Sequence, residues 1–326
     1  AWEQFELPYS VSDFEDKNRS NSNVLYREEK NEILIKGGEF ELTFDKVYGV
    51  ISSWKYQGVE LIKEGPKLNF WRAPIDNDTN LKNDWEKSGL NALKHRIDKV
   101  VTEIKDEKDK AVIIKVKSRI APPVFDHGFD CEYVYSISPE GKVVIDINGI
   151  PEGDLPVLPK IGLQMTLPIQ FDQIKWFGRG PGESYIDSKQ ANRVDVYSKE
   201  VDELYTPYVY PQDNGNRTDT RWVALTNLTG MGLFAASGDS LLNFSAHRYT
   251  VEDLEAAEHP DELTFRDQIT LNLDHRHQAL TSTSCGPEGL EKYRLNPEEF
   301  EFTVKLQPFT KNKISPEALG RKLKNK

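Results

Sequence analysis

The segment CEYVYSISPEGKVVIDINGI, residues 131–150, alternates apolar and polar side chains on both sides of a Pro-Glu-Gly turn. Alternation with a period of two places one face of a strand against a core and the other toward solvent. Two such runs joined by turn residues are typical of a β-hairpin. The segment therefore predicts two antiparallel strands, and the same pattern recurs along the chain.

Similar strand-like runs follow one another from residue 31 onward, each ending near Gly, Pro or Asp. They are EILIKGG (32–38), EFELTFDKVYG (39–49), VISSWKYQG (50–58), AVIIKVKSRI (111–120), IGLQMTLPI (161–169), WVALTN (222–227), GMGLFAAS (230–237), LTFRDQITLNLD (263–274) and FEFTVKLQPF (300–309). Helical signal is confined to residues 81–88, 198–204 and 250–259, the last with Thr250 as a candidate N-cap. Strands without alternating helices predict an all-β fold, a large antiparallel two-sheet sandwich.

Composition divides the chain into four parts. AWEQFELP alternates aromatic and polar residues like the end of a half-buried strand, so residues 1–10 are predicted to close a preceding domain of a longer protein. Residues 11–30, rich in Asn, Ser and charge, are predicted to be a linker. Residues 31–312 are predicted to form the sandwich domain, and the polar tail 313–326 is expected to fray.

The charge and the cysteine content limit the partners and the compartment. With 42 basic and 53 acidic residues, the 326-residue chain has a formal charge of −11, which disfavours nucleic acid and anionic membranes as partners. No apolar run approaches the roughly 18 residues of a transmembrane helix. The two cysteines, Cys131 and Cys285, are interpreted as reduced thiols of a cytoplasmic protein.

The stretch FWRAPIDNDTN, residues 70–80, concentrates charged and amide side chains beside two aromatic residues. A metal loop, a sugar-binding loop and a tight turn each explain this composition. No supporting cluster of ligands accompanies the carboxylates, so no metal is predicted here. Arg72, Asp76 and Asp78 are expected to pin the loop through ion pairs and main-chain hydrogen bonds, above a strand anchored by the aromatic residues.

Two further stretches are rich in glycine and polar residues. WFGRGPGESYID, residues 176–187, is spaced like a phosphate loop, but Pro181 removes an N–H donor and no helix follows. A tight loop fixed by Arg179 and Glu183 is therefore favoured. TPYVYPQDNGNRTDTRW, residues 206–222, suits either a sugar site or a loop held by buried Arg–Asp pairs. Its candidate residues are Tyr208, Tyr210, Gln212, Asp213, Asn214, Asn216, Arg217, Asp219 and Arg221.

Histidines and hydroxyl or thiol groups give weaker signals. His275 and His277 in DHRHQ are predicted to share one face of a strand, but a third metal ligand is missing. TSTSCGPEGLEKYRL, residues 281–295, would suit a nucleophile at Ser284 or Cys285 if a base were identifiable. A glycosidase needs two carboxyl groups flanking the scissile bond, and spacing selects no pair among 53 acidic residues.

Five motifs, taken in order, resemble the C-terminal region of glycoside hydrolase family 2 β-galactosidases. They are FWRAPIDND, WFGRGPGESYID, YTPYVYPQDNGNRTDTRW, FSAHRY with EDL following, and SCGP before the last strands. The resemblance spans residues 31 to about 310 and implies a galactose mutarotase-like super-sandwich. It also implies that AWEQFEL is the last strand of an immunoglobulin-like domain. Asn77 and His247, which lie within these motifs, join the residues expected to be structural.

The resemblance implies a retaining β-galactosidase whose two catalytic glutamates and magnesium lie in a TIM barrel outside this chain. The chain itself is then expected to hold no catalytic residue, metal or cofactor and to be inactive alone. It is expected to complete the sugar pocket with Asp78, Thr79 and Asn80, on a segment that closes over sugar in the family, and with Cys285. Implied partners are β-galactosides, the barrel and immunoglobulin-like domains of the same enzyme, and further copies of the full-length enzyme.

Two other classes of protein stay open. An aldose 1-epimerase-like enzyme would use a His and a Glu as acid and base on the same kind of sandwich, with His247 or His127 as candidates. A stand-alone carbohydrate-binding or subunit-interaction module would need no catalytic group. The order of the five motifs favours the β-galactosidase region over both.

Overall fold

Alternation of buried and exposed side chains dominates the computed structural model, which describes residues 3–5, 24–104, 111–238 and 240–324. In β8 (Val112–Ala121) and β10 (Val143–Glu152), buried residues alternate with partly exposed ones. Both strands pair antiparallel with β9 (Gly128–Ile137). The hairpin predicted from residues 131–150 is therefore confirmed.

The remaining elements are short to medium in length. The other strands are β1 (Leu25–Glu28), β2 (Glu32–Lys36), β3 (Phe40–Asp45), β4 (Val50–Tyr56), β5 (Val59–Glu60), β6 (Glu64–Asn69), β7 (Lys94–Ile104), β11 (Lys160–Pro168), β12 (Gln173–Gly180), β13 (Arg193–Glu200), β14 (Arg217–Thr220), β15 (Trp222–Thr226), β16 (Met231–Ser237), β17 (Leu242–His247), β18 (Gln268–His277) and β19 (Phe300–Thr310). The α-helices are α1 (Thr79–Lys87), α2 (Val251–Ala256) and α3 (Pro316–Lys324). Short 3-10 turns occupy Asp76–Asp78, Leu90–Ala92, Lys189–Ala191, Val201–Leu204, Pro260–Glu262 and Glu291–Tyr293.

The strands form two layers. One is a nine-stranded sheet with the order β13-β12-β15-β16-β19-β10-β9-β8-β7. The other contains two five-stranded sheets, β1-β2-β3-β4-β5 and β14-β17-β18-β11-β6. These two sheets meet where β6 crosses β4, so closely that a Cβ on Gly65 would lie 2.0 Å from the Ile51 carbonyl oxygen. The all-β antiparallel sandwich is confirmed, and its second layer is split into two sheets.

A single large apolar core fills the space between the layers. It draws buried side chains from all three sheets, among them Trp54, Tyr135 and Leu271. Phe70, just after β6, stacks on Phe129 with ring centroids 4.0 Å apart. Burial of each such ring contributes roughly 1.5–3 kcal/mol. The start of the 70–80 stretch is thus anchored in the core, as its aromatic residues predicted.

The C-terminal tail is helical, and the prediction that it frays is wrong for residues 316–324. Leu319 of α3 is buried and packs with Trp222 in a second, smaller core on the outer face of the nine-stranded sheet. Glu317 forms an ion pair with Lys175 of β12. Burial of Leu319 and the ion pair of Glu317 therefore help to dock this segment on the sheet.

The start of the sandwich also differs from the predicted boundary. β1, inside the predicted linker, pairs with β2, so the domain begins before residue 31. Glu3, Gln4 and Phe5 have no regular secondary structure. The Gln4 amide nevertheless donates to the Val194 carbonyl (2.9 Å) and accepts from its N–H (2.7 Å), at the free edge of β13. The rest of the predicted strand 1–10 and residues 11–23 of the linker lie outside the described residues.

The helix predictions hold at two of three places. α1 and α2 overlap the predicted segments, and the hydroxyl of Thr250 caps α2 by accepting from the Asp253 N–H (3.3 Å). Residues 198–204 instead contain the end of β13 and a 3-10 turn.

In the portions of the chain that the structure describes, every helix is too short or too polar to cross a membrane.

Candidate functional site

Four loops converge over β18 and β11, joined by hydrogen bonds between loops. The Asp76 N–H donates to the Gln212 side chain (2.8 Å), which links the 70–80 stretch to the loop before β14. The Tyr185 hydroxyl, from the loop after β12, donates to Asp213 (3.2 Å). Asp187 of the same loop accepts from the Thr281 N–H (2.9 Å), beyond β18. Four stretches singled out by sequence are thus brought into one cluster.

Asn77 joins the segment before α1 to the loop after β18. Its side-chain amide donates to the Thr281 carbonyl (3.0 Å) and accepts from the Ser284 N–H (3.2 Å), while the Thr283 hydroxyl donates to the Asn77 carbonyl. These contacts hold the start of α1 beside the loop after β18. Both segments were predicted to line the same pocket. Between them lies a cavity of about 60 Å³. Its lining includes Asn80, Leu81, Thr281, Leu290 and Tyr293.

The residues predicted to line the pocket differ in exposure. Thr79 and Asn80 are exposed in the first turn of α1, so the segment expected to be a loop is helical. Cys285 is also exposed. Asp78, by contrast, is fully buried and does not face the cavity. It supports the segment from beneath instead.

Asp78 and Arg72 form a buried ion pair at the base of α1. The Arg72 Nη2 donates to both carboxylate oxygens of Asp78 at 2.9 Å, and Asp78 also accepts from the Ile75 N–H (2.9 Å). Both side chains are completely buried, and the guanidinium lies 5.8 Å from the Trp85 ring centroid. The prediction that Arg72, Asp76 and Asp78 hold this loop by ion pairs and main-chain bonds matches the geometry at Arg72 and Asp78. Asp76 is exposed and contributes through its main-chain N–H and carbonyl group.

A β-bulge in β18 changes which side chains share a face. Gly162 of β11 pairs with Asp274 and Ile161 pairs with Arg276, which leaves His275 as the extra residue. His275 stacks on Phe302 of the nine-stranded sheet, with centroids 5.0 Å apart. The prediction that His275 and His277 share a face is therefore wrong, because the bulge interrupts the period of two.

Asp274 and His277 instead lie on the same face of β18, beside Lys160 of β11. Lys160 Nζ is 3.3 Å from an Asp274 carboxylate oxygen and donates to Asn272 Oδ1 (3.0 Å). The Asp274 carboxylate occupies the space over Gly162, where a Cβ would lie 2.0 Å from Oδ1. Burial raises the pKa of Asp274, although Lys160 and His277 oppose this.

Sequence reasoning missed this buried polar face. Its signal was present in β18, where Thr270, Asn272 and Asp274 alternate with the apolar residues that face the core. Polar residues at every second position of a strand that is buried on both faces indicate a covered polar surface. The prediction treated the same alternation as a solvent-facing side.

Asp213 connects the buried face to Arg72. His277 Nε2 lies 3.4 Å and Arg72 Nη1 3.9 Å from Asp213 Oδ2. Burial alone would raise the pKa of Asp213, but the hydrogen bond and charge of His277, with the nearby cations, lower it to about 2. Asp213 is therefore a carboxylate at neutral pH.

The loop before β14 is held by main-chain contacts of its polar residues. Glu183 accepts from the Tyr208 hydroxyl and from the Gly215 N–H (2.8 Å). The Asn214 amide donates to the Gln212 carbonyl (3.0 Å). Arg217 donates to the Leu204 carbonyl (3.0 Å), and burial lowers its pKa to about 10. These contacts fit the hypothesis that the stretch is a structural loop, since each one links two segments of the same polypeptide.

Arg179 and Arg221 lie elsewhere, beside a groove of about 1090 Å³. Arg179 Nε donates to Asp219 (2.6 Å), and Arg221 donates to the Asp219 carbonyl (2.6 Å). Asp219 has φ = 53°, a left-handed conformation that Asp tolerates better than most residues. These arginines therefore stabilise an irregular, strained position within β14 and are not brought to the cavity beside Asn77.

The two histidines weighed as epimerase acids or bases face main-chain carbonyl groups. His247 Nε2 lies 2.9 Å from the Asn214 carbonyl oxygen and stacks on Tyr249, and burial lowers its pKa to about 4. His127 Nε2 lies 2.8 Å from the Ser88 carbonyl oxygen. Within the described ranges, no group of three or more His, Cys, Asp or Glu residues is arranged to hold a metal ion.

Fold and site together define a large antiparallel β-sandwich domain with a polar loop cluster over one of its sheets. The chain belongs to the β-galactosidase small chain family, whose model matches residues 36–306. The matched span runs from the end of β2 into β19, so it includes all four converging loops.

Relatives of known name are β-galactosidases. The protein of Kluyveromyces lactis is 33% identical over 315 residues, which cover 94% of this chain and 30% of that protein. The protein of Staphylococcus xylosus is 32% identical over 248 residues, covering 76% and 24% respectively. The chain thus spans less than a third of the length of the relatives it matches.

Solved structures with a similar arrangement of strands include two sugar epimerases. One is a putative aldose 1-epimerase from Escherichia coli K12, with a TM-score of 0.45 and 10% identity, covering 89% of this chain and 99% of that one. The other is galactose 1-epimerase from Lactobacillus acidophilus NCFM, with a TM-score of 0.43 and 11% identity, covering 89% and 98%.

Proposed function

We propose that this chain is the C-terminal domain of a cytoplasmic β-galactosidase that hydrolyses terminal β-D-galactosides with retention. The two catalytic glutamates and the magnesium would lie in a TIM barrel outside the chain, so the chain alone would be inactive. Family membership supports the proposal, as do named relatives of which the chain covers only 24–30%. In this proposal the domain completes the sugar pocket and takes part in assembly of an oligomeric enzyme.

The observation that carries the pocket role is the bridge made by Asn77. It joins the exposed start of α1 to the loop that contains Cys285, and the cavity between them mixes amide, hydroxyl and aromatic groups. Such groups suit a sugar, whose hydroxyls need polar partners and whose C–H faces pack on rings. The cavity of about 60 Å³ is far smaller than the roughly 300–1,000 Å³ of complete ligand pockets. It is therefore proposed to be one wall of a site that another domain closes.

The first experiment assays the purified chain with o-nitrophenyl β-galactoside, alone and after mixing with the barrel-containing part of the same enzyme. We expect no turnover by the chain alone and restored turnover by the mixture. Clear turnover by the chain alone would contradict the proposal. Acceleration of galactose mutarotation by the chain would support an epimerase instead, and tight galactose binding without any turnover in the mixture would support a binding module.

The second experiment compares two asparagine variants in the full-length enzyme. Asn77→Ala removes the bridge and is expected to raise KM several-fold, because the two halves of the pocket wall separate. Asn83→Ala is the matched control at an exposed position of helix α1, where the side-chain amide donates to the Thr79 carbonyl (3.3 Å) within the same helix. Equal kinetics for the two variants would show that the bridge does not shape the sugar site.

A further inference from the structure

Strand β13 lies at the edge of the nine-stranded sheet, where its inner side pairs with β12. Main-chain groups of an antiparallel strand point alternately toward one neighbour and away from it. Val194 directs its N–H and carbonyl group away from β12, since both bond to Gln4. The same alternation turns outward the main-chain groups of Val196, Ser198 and Glu200. Such a row of outward groups is a template on which another strand can be added.

The side chain of Gln4 acts as a substitute for that additional strand at Val194. Its carbonyl oxygen accepts from the Val194 N–H (2.7 Å), and its amide nitrogen donates to the Val194 carbonyl oxygen (2.9 Å). A primary amide presents an acceptor and a donor side by side, as a residue of a neighbouring strand does. Gln4 therefore ties residues 3–5 to the sheet and occupies one outward position of its edge.

Two carboxylates occupy further outward positions of the same edge. The Asp195 Oδ1 accepts from the Val196 N–H (2.8 Å), and the Glu203 Oε2 accepts from the Glu200 N–H (2.8 Å). Each carboxylate oxygen stands where the carbonyl oxygen of an added strand would have to come. Negative charge on an edge strand also opposes the approach of carbonyl oxygens. The outward N–H groups are thus bonded within the chain.

The sequence of β13 is complementary to a second copy of itself in one antiparallel register. With Tyr197 opposite Tyr197 of the second copy, Asp195 faces Lys199, and two-fold symmetry repeats this pair. Opposite charges in directly facing positions stabilise a strand pair. The register with Val196 opposite itself would instead place Arg193 against Lys199, which is unfavourable. Charge complementarity therefore selects the first register.

We propose that the outer edge of β13 is an acceptor site for β13 of a second copy of this chain, and that Gln4 and Glu203 hold this site closed. In the complementary register Val194 pairs with Glu200, and these are the two residues whose N–H groups Gln4 and Glu203 occupy. The contacts keep two copies from joining their sheets at this strand. The proposal does not rest on the proposed function, since no sugar or catalytic group takes part.

The first test opens the edge in the full chain by combining Gln4→Ala with Glu203→Ala. Sedimentation velocity over a range of concentrations should show self-association at least about tenfold tighter than that of the wild type, because the freed N–H groups gain partners in the dimer. Gln190→Ala combined with Glu299→Ala changes the same residue types at exposed positions and should behave as the wild type. Equal self-association of all three proteins would overturn the proposal.

The second test asks whether the dimer of the opened variant forms through β13. Val196→Pro removes an outward N–H without removing a hydrogen bond to β12, so it should return the opened variant to a monomer. Lys199→Asp should do the same by placing two carboxylates opposite each other, and it serves if the proline variant does not fold. In the dimer the Ser198 amide should gain protection from hydrogen exchange as concentration rises.

Two results of this second test would refute the proposal. A dimer of the opened variant that survives both Val196→Pro and Lys199→Asp would not be formed by this edge. Dissociation of a wild-type dimer by Val196→Pro would show that the edge is already open in the unaltered chain.

Discussion

Arg72 and Asp78 explain why the stretch 70–80 is so dense in polar groups. Their side chains are wholly buried, so each charge needs a partner inside the protein. The two oxygens of Asp78 receive the guanidinium and the Ile75 N–H, and α1 starts directly above. A sequence that resembles an exposed polar loop is therefore an internal support for the first turn of a helix.

Removal of one partner of this ion pair should lower the free energy of unfolding far more than its share of the loss when both partners are replaced. Asp78→Ala removes the hydrogen-bonded carboxylate from a buried guanidinium and leaves it only the Asp213 carboxylate at 3.9 Å, so it should lower the free energy of unfolding by about 3–5 kcal/mol. Arg72→Met with Asp78→Leu should cost clearly less than the two single changes added together. Urea unfolding followed by fluorescence measures both. Arg96→Met, at an exposed pair with Asp98, is the control and should change little; additive single and double variants would contradict the interpretation.

Acid sensitivity should arise in part from two histidines held neutral. Burial lowers the pKa of His247 and of His275 to about 4, against roughly 6.5 in an unfolded chain. The unfolded chain therefore binds more protons in acid, and stability is lost as the pH falls from about 6.5 toward 4. For His247 the loss is on the order of 3 kcal/mol.

The check compares urea midpoints at pH 7 and pH 5 for wild type and His275→Phe. Phenylalanine keeps the stack on Phe302 and removes a ring nitrogen, Nδ1, that has no hydrogen-bond partner among the described residues. The variant should lose less stability between the two pH values than the wild type does. Equal losses would show that His275 does not titrate with unfolding.

At the scale of elements, helix α3 shows how little apolar surface is needed to dock a polar segment on a sheet. Leu319 packs with Trp222, and Gly320 lies so close that a Cβ would be 2.5 Å from the same indole ring. The glycine therefore allows the helix to approach the sheet. Charged residues flank Leu319 and Gly320 in this short segment, so the average hydropathy of a sequence window does not reveal the contact.

Leu319→Ala should release α3 from the nine-stranded sheet. The lost contact should lower the free energy of unfolding by about 2 kcal/mol and should abolish amide protection in α3 alone. Leu228→Ala is the control, since Leu228 is 89% exposed in the turn between β15 and β16. Hydrogen exchange measures the local effect, and retained protection in α3 would show that the ion pair of Glu317 with Lys175 suffices to dock it.

The sequence predicted those elements whose side chains alternate strictly. β8, β9 and β10 belong to this group, because their inner faces meet the core and their outer faces meet solvent. β13 was missed because it is an edge strand with mostly exposed residues, and β14 because it is short and buried on both faces. Local pattern cannot reveal a face that is covered by distant loops.

The candidate site was predictable in its parts but not in its connections. The polar loops were each singled out, yet none of the hydrogen bonds between them has a signature in spacing. The bulge at His275 was not predictable either, because it depends on pairing with β11 rather than on the residues of β18 alone. It moved His277 to the face of Asp274 and so created the buried charge cluster.

At the scale of the whole molecule, the junction between the two five-stranded sheets makes the second layer continuous. Gly65 permits it, because a side chain there would collide with the Ile51 main chain. One apolar core then extends beneath both sheets. The two sheets should unfold together as long as this close approach is kept.

Gly65→Ala should separate the sheets and lower stability by about 1–3 kcal/mol or more. Loss of the junction should also broaden the unfolding transition, since β1–β5 would no longer be tied to the rest of the layer. Gly38→Ala is the matched control, because a Cβ at Gly38 would have no heavy atom within 4 Å. Thermal unfolding followed by circular dichroism measures both, and a sharp, unshifted transition for Gly65→Ala would contradict the role of the junction.

The bulge in β18 has a consequence for how this gene can change in length. His275 is surplus to the ladder with β11, since Asp274 and Arg276 pair with adjacent residues, Gly162 and Ile161. Loss of the His275 codon would give a regular strand with the same pairs, and Asp274 and His277 would remain on one face. Loss of a codon farther from the bulge would turn buried side chains over between the deletion and the bulge. A deletion at the bulge can thus shorten β18 while the residue pairs between β18 and β11 are kept.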